Sequence, residues 1–263
     1  MKEEDIHKII DHCTLDDSCK NNDLIETHIS WIILTDHYAW KIKKPVKYPF
    51  LDFSTLEKRK FYCENELKLN RRIAEKMYLK VIPIRESMID TEANNDSIID
   101  YAVKMKRMDN QKEMGNLLRH GQFRNEDISK IARVISDFHK KTEVVKNAFN
   151  MTKFQNEYAE VLNEIDFIEE CLGDNYAEKV RKFVGKSKNF LNDHRSYINE
   201  RITLGYQKDC HGDLTSHNIF LYDQPVIFDC IEYNDEFRHI DVLNEIAFLC
   251  VDLEFYHKKN FSK

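Results

Sequence analysis

Glycine is scarce in this chain. Six of the 263 residues are glycine, and none of them lies before Gly115. Glycine lets a backbone approach a phosphate group closely, so this scarcity excludes a glycine-rich phosphate-binding loop from the part of the chain before Gly115. The remaining candidate there is the segment Glu26-Thr27-His28-Ile29-Ser30, whose backbone amides or hydroxyl groups of Thr27 or Ser30 could contact a phosphate.

Long apolar runs and an excess of basic residues are also absent. No stretch approaches the length of a membrane span, and the charged start of the chain differs from a signal peptide. The formal net charge is −6, from 40 basic and 46 acidic residues, which argues against nucleic acid or an anionic membrane as a partner. We therefore expect a soluble, cytoplasmic protein.

The seven cysteines form no Cys-x-x-Cys pair. We expect reduced and mostly buried thiols, as is usual for a cytoplasmic protein. The spacing of His12, Cys13, Cys19 and His28 fits no standard zinc site.

The first part of the chain has the pattern of a mixed sheet with one helix. Residues 30–34 and 38–43 are rich in β-formers, and so are residues 81–84 and 101–105, with a polar loop at 92–97 between the latter two. Ser54 or Thr55 can cap a charged helix that runs to about residue 77.

After residues 106–109, which we interpret as a hinge, the pattern becomes helical. Ile128, Ile131, Ile135 and Phe138 fall on one helical face. Two long charged helices are predicted next, separated near residues 173–174, and a last helix begins at about residue 240.

The strongest motif is the stretch His211-Gly212-Asp213-Leu214-Thr215-Ser216-His217-Asn218, followed by an apolar hairpin that ends in Asp229. In kinase-type phosphoryl transfer, one Asp accepts the proton of the attacking hydroxyl group, and an Asn and a second Asp hold Mg²⁺. The spacing assigns the first role to Asp213 and the metal to Asn218 and Asp229.

This motif resembles the aminoglycoside phosphotransferase family, whose usual loop reads His-Gly-Asp-Leu-His-x-x-Asn; Thr215 replaces the second His. Segments 27–31, 41–46, 50–56 and 229–249 are similar to a branch of that family that is sometimes fused to a P-loop ATPase. The resemblance implies a two-lobed, protein-kinase-like α+β fold. It places a small mixed-sheet N-lobe at 1–107 and a mainly helical, apparently C-terminally short C-lobe at 108–263, with ATP and Mg²⁺ between the lobes.

A kinase-like site also needs a Lys for the nucleotide phosphates and a Glu to hold it. Strand alternation puts Lys41 and Lys43 on one face; the family pattern favours Lys41, and Lys43 is the alternative. Glu66 shares the helical face of Leu69 and Ile73 and is the predicted Glu, with Glu64 as the alternative.

The expected function is ATP- and Mg²⁺-dependent transfer of the γ-phosphoryl group to a hydroxyl of a small molecule. Because the glycine-rich loop is missing and the C-lobe is short, the alternative is a non-catalytic nucleotide-binding or interaction protein. A protein kinase is the least favoured of these three functions, because only a few residues separate Asp229 from the final helix.

We interpret His211, Arg238 and Asp241 as structural, and the acidic residues between Glu157 and Asp174 as a solvated helix face.

Overall fold

The computed structural model describes residues 1–18, 22–90, 97–146, 150–258 and 260–261. The chain forms two compact units. Unit 1 combines residues 1–142 with residues 209–263, and unit 2 is residues 143–208. The expected boundary between residues 107 and 108 stays a prediction, and the predicted loop at 92–97 lies outside the described residues except for Ser97.

The described helices and strands are as follows. The helices are α1 (Glu3–Asp11), α2 (Leu56–Ala74), α3 (Met114–Arg119), α4 (Asn125–Lys141), α5 (Met151–Ala159), α6 (Ile165–Leu172), α7 (Asp174–Asp193), α8 (Arg195–Thr203) and α9 (Val242–Phe255). The strands are β1 (Asp23–Glu26), β2 (Ser30–Leu34), β3 (Tyr38–Lys43), β4 (Lys47–Tyr48), β5 (Leu51–Asp52), β6 (Tyr78–Arg85), β7 (Ile98–Lys106), β8 (Gln207–Asp209), β9 (Ile219–Phe220), β10 (Val226–Ile227) and β11 (His239–Asp241).

An antiparallel sheet organises the first part of unit 1. Among the described residues its strand order is β1-β2-β3-β7-β6, and β3 lies at its centre. In the register of β3, Lys41 pairs with Ile32 of β2 and with Val103 of β7. The predicted strands at 30–34, 38–43, 81–84 and 101–105 are therefore confirmed, but every described strand pair of this sheet is antiparallel, which corrects the expected mixed sheet.

Both faces of this sheet are covered. Trp40 and Ile42 of β3 pack on one face with Ile6 and Ile9 of α1. Ala39 faces the other side, where it packs with Cys63 of α2 and Val103. Because a central strand buried on both sides needs apolar groups on both, the two lysines of β3 are exceptional and require partners on the α2 side.

The helix α2 begins where the sequence predicts. Thr55 is its N-cap, and its hydroxyl oxygen accepts a hydrogen bond from the backbone N–H of Lys58 at 3.3 Å. Arg59 and Asp100 form a buried ion pair at 2.8 Å, which joins α2 to β7. This pair fixes the height of α2 above the sheet and hence the position of its inward-facing side chains.

A second core forms around α3, α4, α9 and the β9–β10 hairpin. Ile131 and Ile135 of α4 are buried there with Leu214, Ile219 and Leu249. The apolar face predicted for the helix at 128–138 is confirmed, and the last helix begins at Val242, close to the predicted start.

Unit 2 is helical and is divided at Gly173 as predicted, but each of the two long helices expected there is divided again. Four α-helices, α5 to α8, occupy its described residues. Gly173, with φ of +86°, separates α6 from α7, and His194 lies between α7 and α8. The sequence pattern signals only the first of these breaks, because only there does a glycine mark a left-handed backbone.

The cysteine expectation holds in part. Cys63, Cys210 and Cys230 are buried and free, and Cys171 is free but exposed. Cys13 is disulfide-bonded, which corrects the expectation that all seven thiols are reduced. Within the described residues, every helix is too short or too polar to cross a membrane.

Candidate functional site

The strand β3 presents two lysines to α2. Lys41 and Lys43 are buried, and alternation along the strand points both of them away from the Trp40 and Ile42 side. An uncompensated ammonium group in such a place would be very unfavourable, so each lysine must be paired. The partners come from α2 and from the segment that follows β10.

Glu66 of α2 lies between the two lysines and is fully buried. One carboxylate oxygen is 3.1 Å from Nζ of Lys41, and the other is 2.7 Å from Nζ of Lys43. Glu64 is instead 57% exposed and pairs only weakly with Lys60, at 4.0 Å. The structure thus brings the predicted Glu66, rather than Glu64, to Lys41.

Lys41 also contacts the predicted metal ligand Asp229. Its Nζ donates a hydrogen bond to Oδ1 of Asp229 at 2.5 Å. Burial disfavours the charge on Lys41, but Asp229 and Glu66 outweigh it and raise its pKa well above the usual value. Burial likewise opposes ionisation of Asp229, yet Lys41 lowers the pKa of that carboxyl. The pair is therefore ionised at neutral pH.

Asp229 has an unusual backbone conformation. Its φ of +64° lies in the left-handed region, which non-glycine residues rarely adopt. Its backbone N–H donates to the hydroxyl oxygen of Tyr78 at 3.2 Å, and its side chain remains 38% exposed. Backbone strain of this kind concentrates at functional sites, and here it directs a carboxylate into an open part of the site.

The catalytic-loop candidates Asp213 and Asn218 contact each other. The amide nitrogen of Asn218 donates to the backbone oxygen of Asp213 at 2.9 Å and to its Oδ2 at 3.0 Å. Burial, and next the negative charge of Asp229, raise the pKa of Asp213 above 3.8, although His211 and Asn218 partly oppose this. A raised pKa makes Asp213 a better proton acceptor than an ordinary aspartate.

The loop itself needs a glycine at position 212. Gly212 has φ of +89°, and a Cβ atom there would lie 2.9 Å from the backbone oxygen of Phe237. Any other residue would be strained and would collide with the segment after Asp229. This close approach fixes the distance between Asp213 and that segment.

His211 braces the loop, as the sequence suggests. Its Nε2–H donates to the backbone oxygen of Phe228 at 2.8 Å, and its Nδ1 accepts from the backbone N–H of Asp213 at 3.3 Å. Burial lowers the pKa of the imidazole, so the ring is neutral and holds a single tautomer. It connects the loop to the strand that ends at Asp229.

Two buried glutamates that the sequence analysis missed complete the site. Glu232 pairs with Lys43, and Glu245 of α9 accepts hydrogen bonds from the backbone N–H groups of His211 at 2.5 Å and Gly212 at 2.9 Å. His139 of α4 holds the other oxygen of Glu245 at 2.5 Å. In the sequence, the burial of Glu245 is signalled only by its position among the apolar residues of α9.

Arg238 and Asp241 have the structural roles expected of them. Arg238 pairs with Asp209 at 2.8 Å and with Asp235 at 2.6 Å. Asp241 caps α9, since its Oδ1 accepts from the backbone N–H of Leu243 at 2.8 Å.

The candidate phosphate-binding segment, Glu26 to Ser30, forms a turn between β1 and β2. Thr27 uses its hydroxyl oxygen to accept from the backbone N–H of Ser30 at 2.9 Å, which makes a tight turn between β1 and β2. Ser30 is fully buried opposite Lys43, and its hydroxyl lacks a hydrogen-bond partner among the described residues. The phosphate contact expected for Ser30 stays a prediction.

The donor set suits a magnesium ion. Both hydrogen bonds from Asn218 to Asp213 use its amide nitrogen, so they do not use its amide oxygen, which is a hard oxygen donor like the Asp229 carboxylate. The buried network has two lysines against the three carboxylates of Glu66, Glu232 and Asp229, and Asp213 adds a fourth nearby. Hard oxygen donors with an excess of negative charge are what Mg²⁺ requires.

Comparison with known proteins gives distant matches. No family model matches the chain. Uncharacterized proteins from Mycobacterium bovis and from two strains of Mycobacterium tuberculosis are 27% identical over 251 residues, which cover 90% of this chain and 47% of each of those proteins. The chain thus spans about half the length of the curated relatives it matches.

Two solved structures are similar. A choline/ethanolamine kinase family protein from Mesorhizobium loti is 14% identical and superposes with a TM-score of 0.51, over 97% of this chain and 75% of that one. An ADP-bound aminoglycoside phosphotransferase is also 14% identical, with a TM-score of 0.45 over 99% and 84% of the two chains. The chain therefore has the kinase-like α+β fold of the choline/ethanolamine kinase family protein, as the sequence resemblance predicts.

Proposed function

We propose that this protein is an ATP- and Mg²⁺-dependent phosphotransferase of the aminoglycoside phosphotransferase type. Its acceptor is the hydroxyl group of a small molecule. The observation that carries the proposal is the convergence of Lys41, Glu66 and Asp229 in one ionic network, with the hydrogen-bonded pair Asp213 and Asn218 on the adjoining loop. These residues come from four separate segments of unit 1.

In the proposed reaction, the acceptor oxygen forms a bond to the γ-phosphorus of ATP. The bond between that phosphorus and the oxygen bridging it to the β-phosphate breaks, and ADP leaves with the bonding electron pair. Asp213 accepts the hydroxyl proton and later releases it to solvent. Asn218 and Asp229 would hold Mg²⁺, which would supply positive charge against the phosphates.

Lys41 has the second electrostatic role. Its ammonium group lies 2.5 Å from Asp229 and 3.1 Å from Glu66. With Asp229 as a metal ligand, Lys41 would keep Glu66 as its partner, and its remaining N–H groups would bind the α- and β-phosphates. Such preorganised charges lower a barrier because they need no rearrangement in the transition state.

The alternative is a protein of the same fold that binds nucleotide without transferring phosphate. The absence of glycine before Gly115 favours it, because the turn at Thr27 has less freedom to close over phosphates. Retention of Asp213 beside Asn218 favours catalysis, since nucleotide binding alone does not require a base.

Release of ADP in the presence of small-molecule alcohols tests the proposal. Asp213→Asn should lower kcat by on the order of 10³-fold, because a general base contributes about 10²- to 10⁴-fold, while ATP binding is retained. Asp223→Asn, in the exposed β9–β10 turn, is the matched control and should behave like wild type. Unchanged turnover in Asp213→Asn would remove Asp213 from the mechanism.

A further inference from the structure

Five aromatic rings beside the candidate site, which we call the aromatic patch, belong to a connected group of rings that continues through Phe53 to Tyr62 and Phe61. The members of the patch are Tyr48, Phe50, Phe53, Tyr233 and Phe237. Phe50 is the central ring: it stacks on Tyr48 at 5.8 Å and lies 6.1 Å from Tyr233 and 6.3 Å from Phe237. The patch joins the β4–β5 hairpin, which follows the strand of Lys41, to the segment that follows Asp229.

The patch is buried at one end and open at the other. Phe53 is fully buried, whereas Tyr48, Phe50 and Phe237 are 39%, 46% and 42% exposed. Burying such rings would stabilise the molecule, so a contiguous set left open to solvent marks a binding surface more often than chance exposure does. Rigid aromatic side chains also lose little entropy when they bind a ligand.

One of the open rings belongs to a segment that packs against the loop of the proposed general base. The backbone oxygen of Phe237 approaches Gly212, the residue directly before Asp213, so closely that only a glycine fits there. The side chain of Tyr233 is influenced by the same site: burial, followed by the charges of Glu232, Asp213 and Asp229, raises its pKa to about 12. The segment that carries Tyr233 and Phe237 therefore adjoins the loop that carries Asp213.

The charges around the patch indicate which charge its ligand can carry. Asp213, Asp229 and the 65% exposed Asp235 are carboxylates. The nearby cation Arg238 is only 4% exposed and is taken up by Asp209 and Asp235. The exposed cation of the β4–β5 hairpin is Lys47, which is 71% exposed and lies 3.9 Å from a carboxylate oxygen of Asp52. Since the carboxylates around the described part of the patch outnumber this lysine, charge complementarity favours a ligand that is not negatively charged.

We propose that the aromatic patch binds the body of the phosphoryl acceptor, and that the acceptor is a non-anionic alcohol carrying an aromatic or other apolar ring close to its hydroxyl group. This inference rests on the proposed function and adds the substrate class to it. The ring of the acceptor packs on Phe50 and Phe237, and its hydroxyl group points to Asp213. The transfer is the one written above, with the same bonds formed and broken.

Three probe alcohols separate this substrate class from its alternatives. 2-Phenylethanol has a ring and no charge, phenyllactate adds a carboxylate to the same ring, and glucose has hydroxyl groups without an apolar ring. ADP release at saturating Mg²⁺ and ATP should be stimulated most by 2-phenylethanol. Stronger stimulation by glucose or phenyllactate would overturn the inference.

Variants of the exposed rings test whether the acceptor binds at the aromatic patch. Phe50→Ala and Phe237→Ala should each raise KM for 2-phenylethanol by on the order of tenfold, the effect of about 1.4 kcal/mol of lost contact, and leave KM for ATP unchanged. Phe248→Ala is the matched control, because Phe248 is 53% exposed on α9 and outside the patch. An unchanged KM for 2-phenylethanol in both patch variants would contradict the assignment.

A binding measurement separates failure of this inference from failure of the proposed function. Saturation-transfer NMR should detect 2-phenylethanol on wild type and on Phe248→Ala, and lose most of the signal on Phe50→Ala and Phe237→Ala. Loss of binding specific to the patch variants, but without ADP release from any probe, would overturn the proposed function and the acceptor role together. ADP release that is insensitive to both ring deletions overturns the patch alone.

Discussion

At the scale of single residues, the buried network contains a second lysine that a kinase-like site does not require. Lys43 is fully buried and pairs with both Glu66 and Glu232. By holding one oxygen of Glu66, it leaves the other oxygen for Lys41. Lys43 therefore acts on the site through the orientation of Glu66 and through the charge of Glu232.

Removing Lys43 should cost more stability than removing its neighbour Lys44. Lys43→Met leaves the buried carboxylate of Glu232 unpaired and Glu66 with Lys41 as its remaining partner, and should lower the free energy of unfolding by about 3–5 kcal/mol. Lys44→Met removes a pair whose acidic partner, Glu26, is 50% exposed, and should cost less than about 1 kcal/mol. Urea unfolding measures both values; equal values would show that the buried network adds nothing.

A double variant distinguishes charge from shape at the same position. Lys43→Met combined with Glu232→Gln removes the charge that Lys43→Met leaves unpaired, so it should recover part of the stability lost by Lys43→Met alone. Additive losses in the urea experiment would instead mean that Lys43 and Glu232 do not interact.

The raised pKa of Asp213 predicts where activity is lost as the pH falls. The base must be ionised to accept a proton, so kcat/KM should fall as the pH drops through its folded-state pKa. Burial and Asp229 raise that pKa, which places the acid limb above the usual aspartate value of 3.8. A pH profile of ADP release checks this, and an acid limb at or below 3.8, with the protein still folded, would contradict the assignment.

At the scale of elements, α9 holds the catalytic loop through one side chain. Glu245→Ala leaves the backbone N–H groups of His211 and Gly212 without their acceptor, which should cost about 3 kcal/mol or more and lower kcat. Val251→Ala on the same helix is the control, because Val251 is 70% exposed. Thermal unfolding and ADP release measure the two effects, and a Glu245→Ala variant as stable and active as the control would refute this role.

Local patterns predict the elements that carry the site. Alternation along β3 identifies Lys41 and Lys43, and helical spacing from Leu69 selects Glu66 over Glu64. Short-range signals succeed there because each side chain lies on the regular face of its own element. The helix α1 also has such a signal, in Ile6 and Ile9, although the sequence reading of the N-terminal part does not identify it.

The residues that pair with these lysines and glutamates cannot be predicted from such local patterns. Glu232 pairs with a lysine 189 residues earlier, and His139 contacts Glu245 across 106 residues. A single sequence contains no periodicity that links such positions, because only the packing of α2, α4 and α9 around the sheet and loop brings them together. The choice of Lys41 over Lys43 comes from the family pattern, and the geometry places Lys41, rather than Lys43, at hydrogen-bonding distance from Asp229.

At the scale of the whole molecule, the fold and the site chemistry agree. The chain superposes on a kinase family structure over 97% of its length at only 14% identity. Fold similarity at this level does not fix an activity, so the functional assignment depends on the site residues. The central claim is that unit 1 binds ATP through a magnesium ion held by Asn218 and Asp229.

The most direct test is the thermal stabilisation of the protein by ATP, with and without Mg²⁺, in wild type and in Asp229→Ala. A ligand at about 100 times its Kd stabilises the folded state by about 2.7 kcal/mol, so Tm of the wild type should rise by several degrees with both ligands present. This ATP-induced rise should largely disappear without Mg²⁺ and in Asp229→Ala. No rise in folded wild type, or an equal rise in all three cases, would contradict it.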